Sequence, residues 1–216
     1  MLPTSHHSRS FLSGIILAAG ASRRMGQPKQ LMWFGDRPLL QHVLEVAAAS
    51  CLDEIVLVLG HRAEAVRQAI QLPVECPVTV VVNADYEQGQ STSLRAGLSA
   101  ADSRADGAAV LLGDQPGVTG GLIGRVAAAF AGADAPVARP LYCADGRRIP
   151  GHPVFLARRI WPEVDQLQGD HGARALLAAH PDWVLEVSIE GAPPADIDTW
   201  DDYRRTVPPA ARGAGS

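Results

Sequence analysis

Several absences narrow the chemistry of this chain before any motif is read. Cysteine is scarce: Cys51, Cys76 and Cys143 are the three in 216 residues, and no pair has metal-ligand spacing. That argues against a disulfide scaffold or a cysteine-built metal site and leaves reduced thiols acting as small apolar residues. Neither sign of charge dominates. Nineteen Lys and Arg against 23 Asp and Glu give a net charge of -4, which offers no basic surface for nucleic acid. No apolar run has the length of a membrane span. The opening MLPTSHHSRS lacks the apolar core of a signal peptide, so the expected setting is cytoplasmic, away from nucleic acid and membrane. The common nucleotide fingerprints are missing too. Five residues separate Gly20 from Gly26, and Lys29 is followed by Gln30, so the loop is no Walker A sequence. There is no GxGxxG either, which sets a dinucleotide-dependent oxidoreductase low. No Ser–His–Asp order or Cys–His pairing stands out.

What is present is an alternation. Apolar runs at Ile15–Ala18, Glu54–Leu59, Val78–Val82 and Ala108–Leu112 read as strands. Helical patterns follow them at Pro38–Ala49, Arg62–Ile70, Thr92–Ala100 and Leu122–Ala131. The strands are near-continuous Val/Ile/Leu/Ala, as parallel strands buried on both faces are. Strand–helix repetition of this kind predicts a doubly wound α/β sheet with ligands at the carboxyl ends of its strands. The rhythm then changes. Arg139–Cys143, a turn at Ala144-Asp145-Gly146 and Ile149–Leu156 read as a hairpin or a pair of irregular strands. Helices near Ala157–Val164 and Gly172–His180 and a strand at Val184–Ile189 follow. A length of 216 residues suits one domain with a sizeable core. The expected organisation is a disordered tail over 1–12, a single domain over 13–207, and a second tail over 208–216.

The most informative stretch is Leu17 to Lys29, LAAGASRRMGQPK, directly after the first strand. Its glycines allow a tight bend and close backbone approach to an anion, and its cations surround that anion. Three cations in one loop repel one another unless an anion is bound. Phosphate is the natural guest. Gly113-Asp114-Gln115-Pro116 leaves the fourth strand at the same end of the sheet. The Asp114 carboxylate is the hard oxygen ligand Mg²⁺ takes alongside phosphate oxygens; alone, it could equally be a turn residue. Asp196-Ile197-Asp198-Thr199 is extended, so Asp196 and Asp198 share a face. They can present two carboxylates together, or one of them can cap the helix near Trp200. Asn83 to Arg95 joins a strand to a helix whose N-terminal serines suit capping or anion contact. Gly151-His152-Pro153-Val154 and Gly169-Asp170-His171-Gly172-Ala173-Arg174 complete the set.

Together these segments resemble the signatures of the MobA-like nucleotidyltransferases, and GHPV with GDxGAR resembles that family's molybdenum cofactor cytidylyltransferase subgroup. The resemblance spans about 13–207 and implies that 13–135 binds the nucleotide and 136–207 faces the acceptor. It implies a Rossmann-like three-layer sandwich with a mostly parallel, mixed sheet. It implies transfer of CMP from CTP to molybdenum-molybdopterin with release of pyrophosphate. Catalysis would rest on Lys29, Arg24 and Asp114. Nucleotide contacts would come from Leu17, Ala18, Ala19, Gly20, Ala21, Ser22, Arg24, Gly26 and Lys29, with Asn83, Ser93 and Gly113. Mg²⁺ would sit on Asp114 and Asp198, and the acceptor on His152, Pro153 and Arg174. In the family a loop beginning LAAG goes with CTP and LAGG with GTP, which makes Ala19 the base-selecting position. A molybdenum hydroxylase or its maturation chaperone is an implied partner. Two other readings remain open: transfer to a different phosphorylated acceptor, such as a sugar phosphate or a phospholactate-type precursor, and a non-catalytic carrier of the molybdenum cofactor.

Overall fold

The computed structural model describes residues 9–167, 169 and 173–207. The tails expected over 1–12 and 208–216, apart from 9–12, and Asp170-His171-Gly172 of the GDxGAR motif fall outside the described residues. The elements run β1 (Leu12–Ala18), β2 (Trp33–Phe34), β3 (Arg37–Pro38), α1 (Leu39–Ala48), β4 (Glu54–Leu59), α2 (Ala63–Ala69) and β5 (Val78–Val82). Then come α3 (Gln90–Ser99), β6 (Gly107–Leu112), α4 (Gly120–Ala133), β7 (Val137–Ala144), β8 (Arg147–Pro150) and β9 (Val154–Ala157). The chain continues with α5 (Trp161–Val164), α6 (Arg174–Ala179), β10 (Val184–Glu190) and α7 (Trp200–Thr206).

The central sheet has the order β10-β7-β9-β6-β1-β4-β5, with β8 paired to β7. Pairs β6–β1, β1–β4 and β4–β5 are parallel, as is β10–β7. Strand β9 runs antiparallel between β6 and β7. The expected mostly parallel, mixed α/β sheet is therefore the one observed. All six residues of β4 are buried, because helices cover both sheet faces. Ile16, Leu57 and Leu111 pack with Leu40, Leu44, Ile123 and Phe130 of α1 and α4 on one face. Ile15, Val56 and Val110 pack with Leu94 and Leu98 of α3, Trp161 and Leu176 on the other. Alternate side chains of one strand thus feed two cores. Gly97 lets α3 lie close on β1: a Cβ there would stand 2.4 Å from Ile15 Cγ2.

The predicted hairpin is tighter and then broken. Asp145 and Gly146 have φ of 50° and 72°, the left-handed pair that a two-residue turn between twisted strands needs. The run expected as one strand over Ile149–Leu156 splits into β8 and β9 around Gly151-His152-Pro153. Pro153 has no N–H for a ladder. Gly151 lies against the Tyr142 ring, where a Cβ would come within 2.7 Å of Cε2. Strand β8 stays on β7, and β9 crosses to β6. The helix expected over Ala157–Val164 also shortens: Ala157 ends β9, Arg158–Ile160 forms a 3₁₀ turn, and one α turn remains.

Candidate active site

The loop after β1 is shaped by its own polar groups. Ser22 sits in the left-handed region with φ 50°, and its carbonyl accepts from the amides of Met25 at 2.9 Å and Gly26 at 3.2 Å. Its hydroxyl accepts from the Lys29 amide at 3.1 Å. Met25 is buried in a small cluster with Met32, Leu39, Ile197 and Tyr203. The methionine of the loop motif thus ties the loop to the far end of the chain, a role its sequence position did not disclose.

That cluster brings the two carboxylates to the lysine. Ile197 is fully buried, and its amide donates to the Asp114 carbonyl at 3.1 Å. The Lys29 ammonium is in contact with Asp114 Oδ2 and lies 2.8 Å from Asp198 Oδ1. Arg24 donates to Asp198 Oδ2 at 2.9 Å. The loop cations are therefore offset by carboxylates in the protein itself, where the sequence left them repelling one another. Arg23 is exposed. Burial works against the charge on Lys29, but Asp114 and Asp198 outweigh it and raise its pKa. Burial raises the pKa of Asp114 against the pull of Lys29, and the neighbouring Asp196 and Asp198 add to the rise. Burial acts the same way on Asp198, yet Lys29 and Arg24 prevail and hold its pKa below the usual carboxylate value. With two acidic partners on one ammonium, the charged form of Lys29 is the stable one.

Asp198 does not cap the last helix. Thr199 caps α7, accepting from the Asp202 amide, while Asp202 accepts from the Thr199 amide at 2.8 Å. This capping box leaves Asp198 free for Lys29. Nor do Asp196 and Asp198 act as a pair. Asp196 Oδ1 accepts from Gln115 Nε2 at 2.6 Å, while Asp198 turns to Lys29 and Arg24.

Two adjoining cavities open at this end of the sheet. The first, about 250 Å³, is lined by Leu17, Ala18, Ala19, Gly20, Lys29, Ser93, Gly113 and Asp114, together with Gln30, Tyr86, Gln90 and Leu112. Gln30 was not singled out from sequence. It is buried and donates to the carbonyls of Ala18 at 2.9 Å and Gly20 at 3.1 Å, so it sets the course of the loop. Ala21, Ser22, Arg24 and Gly26 belong to the loop but not to this wall. Ala19 packs on Gly60, where a Cβ would come within 2.8 Å of its methyl. Asn83 is buried behind the wall, and its amide donates to Thr92 Oγ1 at 2.8 Å and Ser93 Oγ at 3.0 Å. It orders the start of α3, and Ser93 faces the cavity.

The second cavity, about 610 Å³, shares Leu17, Gln90 and Leu112 with the first and extends to His152, Arg174, Arg139, Gln115 and Asp196. Pro153 is buried beside it. Burial pushes the His152 imidazole below its usual pKa, against the Val110 carbonyl and the carboxylates of Asp196 and Asp114. The neutral ring donates from Nδ1 to the Val110 carbonyl at 3.3 Å, which leaves Nε2 as an acceptor. Arg95, by contrast, reaches the Asp165 carbonyl at 3.1 Å on the exposed side of α3.

The cation held between Asp114 and Asp198 shows that the carboxylate pair fits a positive ion, and carboxylate oxygen is the donor Mg²⁺ takes with phosphate oxygens. Among the described residues no three His, Cys, Asp or Glu converge as a complete metal site, so nucleotide oxygens and water would fill the remaining positions. No helix among the described residues is long and apolar enough to cross a membrane.

Known proteins share this architecture. The chain is 32% identical over 210 residues to the nicotine blue oxidoreductase of Paenarthrobacter nicotinovorans, covering 91% of this chain and 96% of that protein. It is 28% identical over 195 residues to the molybdenum cofactor cytidylyltransferase of Escherichia coli (strain K12), covering 90% and 94%. The crystal structure of Rv0371C from Mycobacterium tuberculosis H37Rv, a complex with manganese, matches at TM-score 0.76 and 34% identity, covering 93% and 99%. The model of the MobA-like NTP transferase domain matches residues 14–184, and with a nucleotidyltransferase fold around a loop of that type, the chain belongs to the MobA-like NTP transferase family.

Proposed function

We propose that this nucleotidyltransferase moves CMP from CTP to molybdenum-molybdopterin. The observation that carries the reading is the pair of cavities meeting at Leu17, Gln90 and Leu112, with Lys29 and Asp114 in the first and His152 and Arg174 in the second. A donor nucleotide in one and a phosphorylated acceptor in the other would bring two phosphates together at the carboxyl ends of β1 and β6. The acceptor's terminal phosphate oxygen attacks the α-phosphorus of CTP in line, forming one P–O bond as the bond to the β-phosphate oxygen breaks. Pyrophosphate leaves with that electron pair. Lys29 and Arg24 neutralise charge on the departing phosphates, and no covalent enzyme intermediate is needed. Asp114 and Asp198 would hold Mg²⁺, which supplies Lewis-acid neutralisation of the triphosphate when bound. The rigid loop positions the reactants, the contribution that turns a bimolecular step into a local one. Support for the acceptor comes from the likeness to the Escherichia coli cytidylyltransferase; manganese in the Mycobacterium tuberculosis structure supports divalent-metal use. Ala19, which gives the loop the LAAG form that goes with CTP in the family, supports CTP as donor.

The test is pyrophosphate release with molybdenum-loaded molybdopterin, Mg²⁺ and CTP, GTP, ATP or UTP in turn. Release with CTP alone is the expected result. Release only with a sugar phosphate or phospholactate-type acceptor would replace the acceptor, and binding of the cofactor without release by any nucleotide would make the protein a carrier. Oxidation or reduction of nicotine blue, without pyrophosphate release, would move the chain to the activity named for the Paenarthrobacter relative.

A further inference from the structure

The loop after β1 uses up its acceptors and leaves its donors unspent. The Leu17 carbonyl accepts from the Gly113 amide at 3.0 Å, and the Ala19 carbonyl from the His61 amide at 3.1 Å. The Ser22 carbonyl accepts from Met25 and Gly26. A side chain supplies the rest. The two hydrogens of Gln30 Nε2 go to the carbonyls of Ala18 at 2.9 Å and Gly20 at 3.1 Å. From Leu17 to Ser22, the Ala21 carbonyl alone lacks a donor among the described residues. The amides behave in the opposite way. None from Ala19 to Arg24 donates to any group among the described residues. Gln30 is 2% exposed, and its orientation is fixed: a carbonyl oxygen only accepts, so Nε2 must face both.

We infer that Gln30 is a positioning residue of the donor site, aiming the amides of Ala19 and Ala21 at the triphosphate of the nucleotide. Across a trans peptide, the C=O of one residue and the N–H of the next point in opposite directions. Holding the carbonyls of Ala18 and Gly20 on the Gln30 side therefore turns the amides of Ala19 and Ala21 away from it. His61 does the same for the Gly20 amide by holding the Ala19 carbonyl. Successive N–H groups make an anion site, whereas carbonyl oxygens in their place would suit a cation. Lys29 and Arg24 are already held by carboxylates, so unspent amides matter the more. The inference rests on the donor-nucleotide reading given above, and it gives Gln30 a role that the sequence motifs did not assign.

The full chain, isotopically labelled on nitrogen, is titrated with inorganic tripolyphosphate, without metal, base or acceptor. The backbone amide resonances of Ala19, Gly20 and Ala21 should move as the anion binds. Gln30→Met keeps the length of the side chain and loses its N–H groups. It should bind tripolyphosphate about tenfold more weakly, with those three shifts lost. In the transfer assay its KM for CTP should rise about tenfold while the KM for the acceptor stays unchanged. Normal anion binding by Gln30→Met would overturn the inference. So would an unaltered chain that binds no tripolyphosphate, or binds it without moving any of the three amides. If the variant fails to fold, the unaltered chain still decides, through those shifts and through its Gln30 side-chain protons. These should be protected from exchange with water, and fast exchange would overturn the inference. Anion binding through the three amides without CMP transfer would keep the role of Gln30 and refute the transfer reaction; transfer by Gln30→Met with an unchanged KM for CTP would do the reverse.

Discussion

The two cavities carry their charged groups differently. In the first, Lys29, Asp114, Asp198 and Arg24 satisfy one another in a closed network. A buried amide oxygen without a partner occurs at both, on Gln30 at the first and Gln115 at the second, but around the second the charged groups pair outward, Asp196 with the Gln115 amide and Arg139 with Glu186. A site built from full charges has to neutralise itself before a ligand arrives, because an unpaired buried charge is far costlier than an unpaired amide. The second cavity, lined by one carboxylate, Asp196, and two guanidiniums, Arg139 and Arg174, can remain open because a neutral amide holds its carboxylate and Glu186 holds Arg139. The first site must therefore exchange partners when its ligand arrives, and the second only has to be filled.

Removing one member of the charged network should have the largest effect. Asp114→Ala should lower CMP transfer by roughly a thousandfold or more, given what a preorganised charge contributes to a phosphate transition state. Pyrophosphate release checks this, and full activity would remove Asp114 from the catalytic set. Lys29→Ala should cost about a hundredfold or more in kcat. It should also free the two carboxylates, so Mn²⁺ alone should bind more tightly to the variant, as read by its electron paramagnetic resonance. No gain in Mn²⁺ affinity would mean that Lys29 does not occupy the cation position. The second cavity should respond differently. His152→Ala or Arg174→Ala should raise KM for the acceptor about tenfold with the KM for CTP unchanged, as loss of ground-state binding does. A fall in kcat alone would blur the division between the cavities. Ala19→Gly should shift the CTP/GTP ratio toward GTP by several-fold, since one methyl in a pocket is worth about 10-fold or somewhat more.

The smallest effect lies outside both cavities, at the cap that sets Asp198. Thr199→Ala should cost about 1 kcal/mol by denaturant unfolding. The partner carboxylate of Asp202 has its pKa lowered to about 2 by Thr199 and Arg205. A lowered folded pKa stabilises above the unfolded value of 3.8 and loses that stabilisation as pH falls through the folded one. The melting difference between the unaltered chain and Asp202→Asn should therefore shrink between about pH 4 and pH 2.

Much of the fold was legible from the sequence because parallel strands buried on both faces leave continuous apolar runs. Glu54–Leu59 and Val78–Val82 match β4 and β5 in the structure. The hairpin was legible from Asp145-Gly146. The split at Gly151-His152-Pro153 was not, because a strand's change of partner leaves no period in its side chains. The loop cations and Asp114 were legible from residue type at strand ends. Gln30 and Gln115 were passed over, since a glutamine gains meaning only when its amide has been placed and one end is left without a partner.

The sequence by itself determined the layer order's raw material: which runs form strands, which loop carries cations, and which carboxylate follows β6. These are local properties, set by periodicity and by residue chemistry within a few positions. Only the tertiary structure decided that Met25 and Ile197 share a cluster, that this cluster carries Asp198 to a lysine 169 positions earlier, and that Asp196, two residues away, serves the other cavity. Those outcomes depend on packing between segments remote in the chain, and the alternation of an extended strand allows either result until a buried side chain selects one.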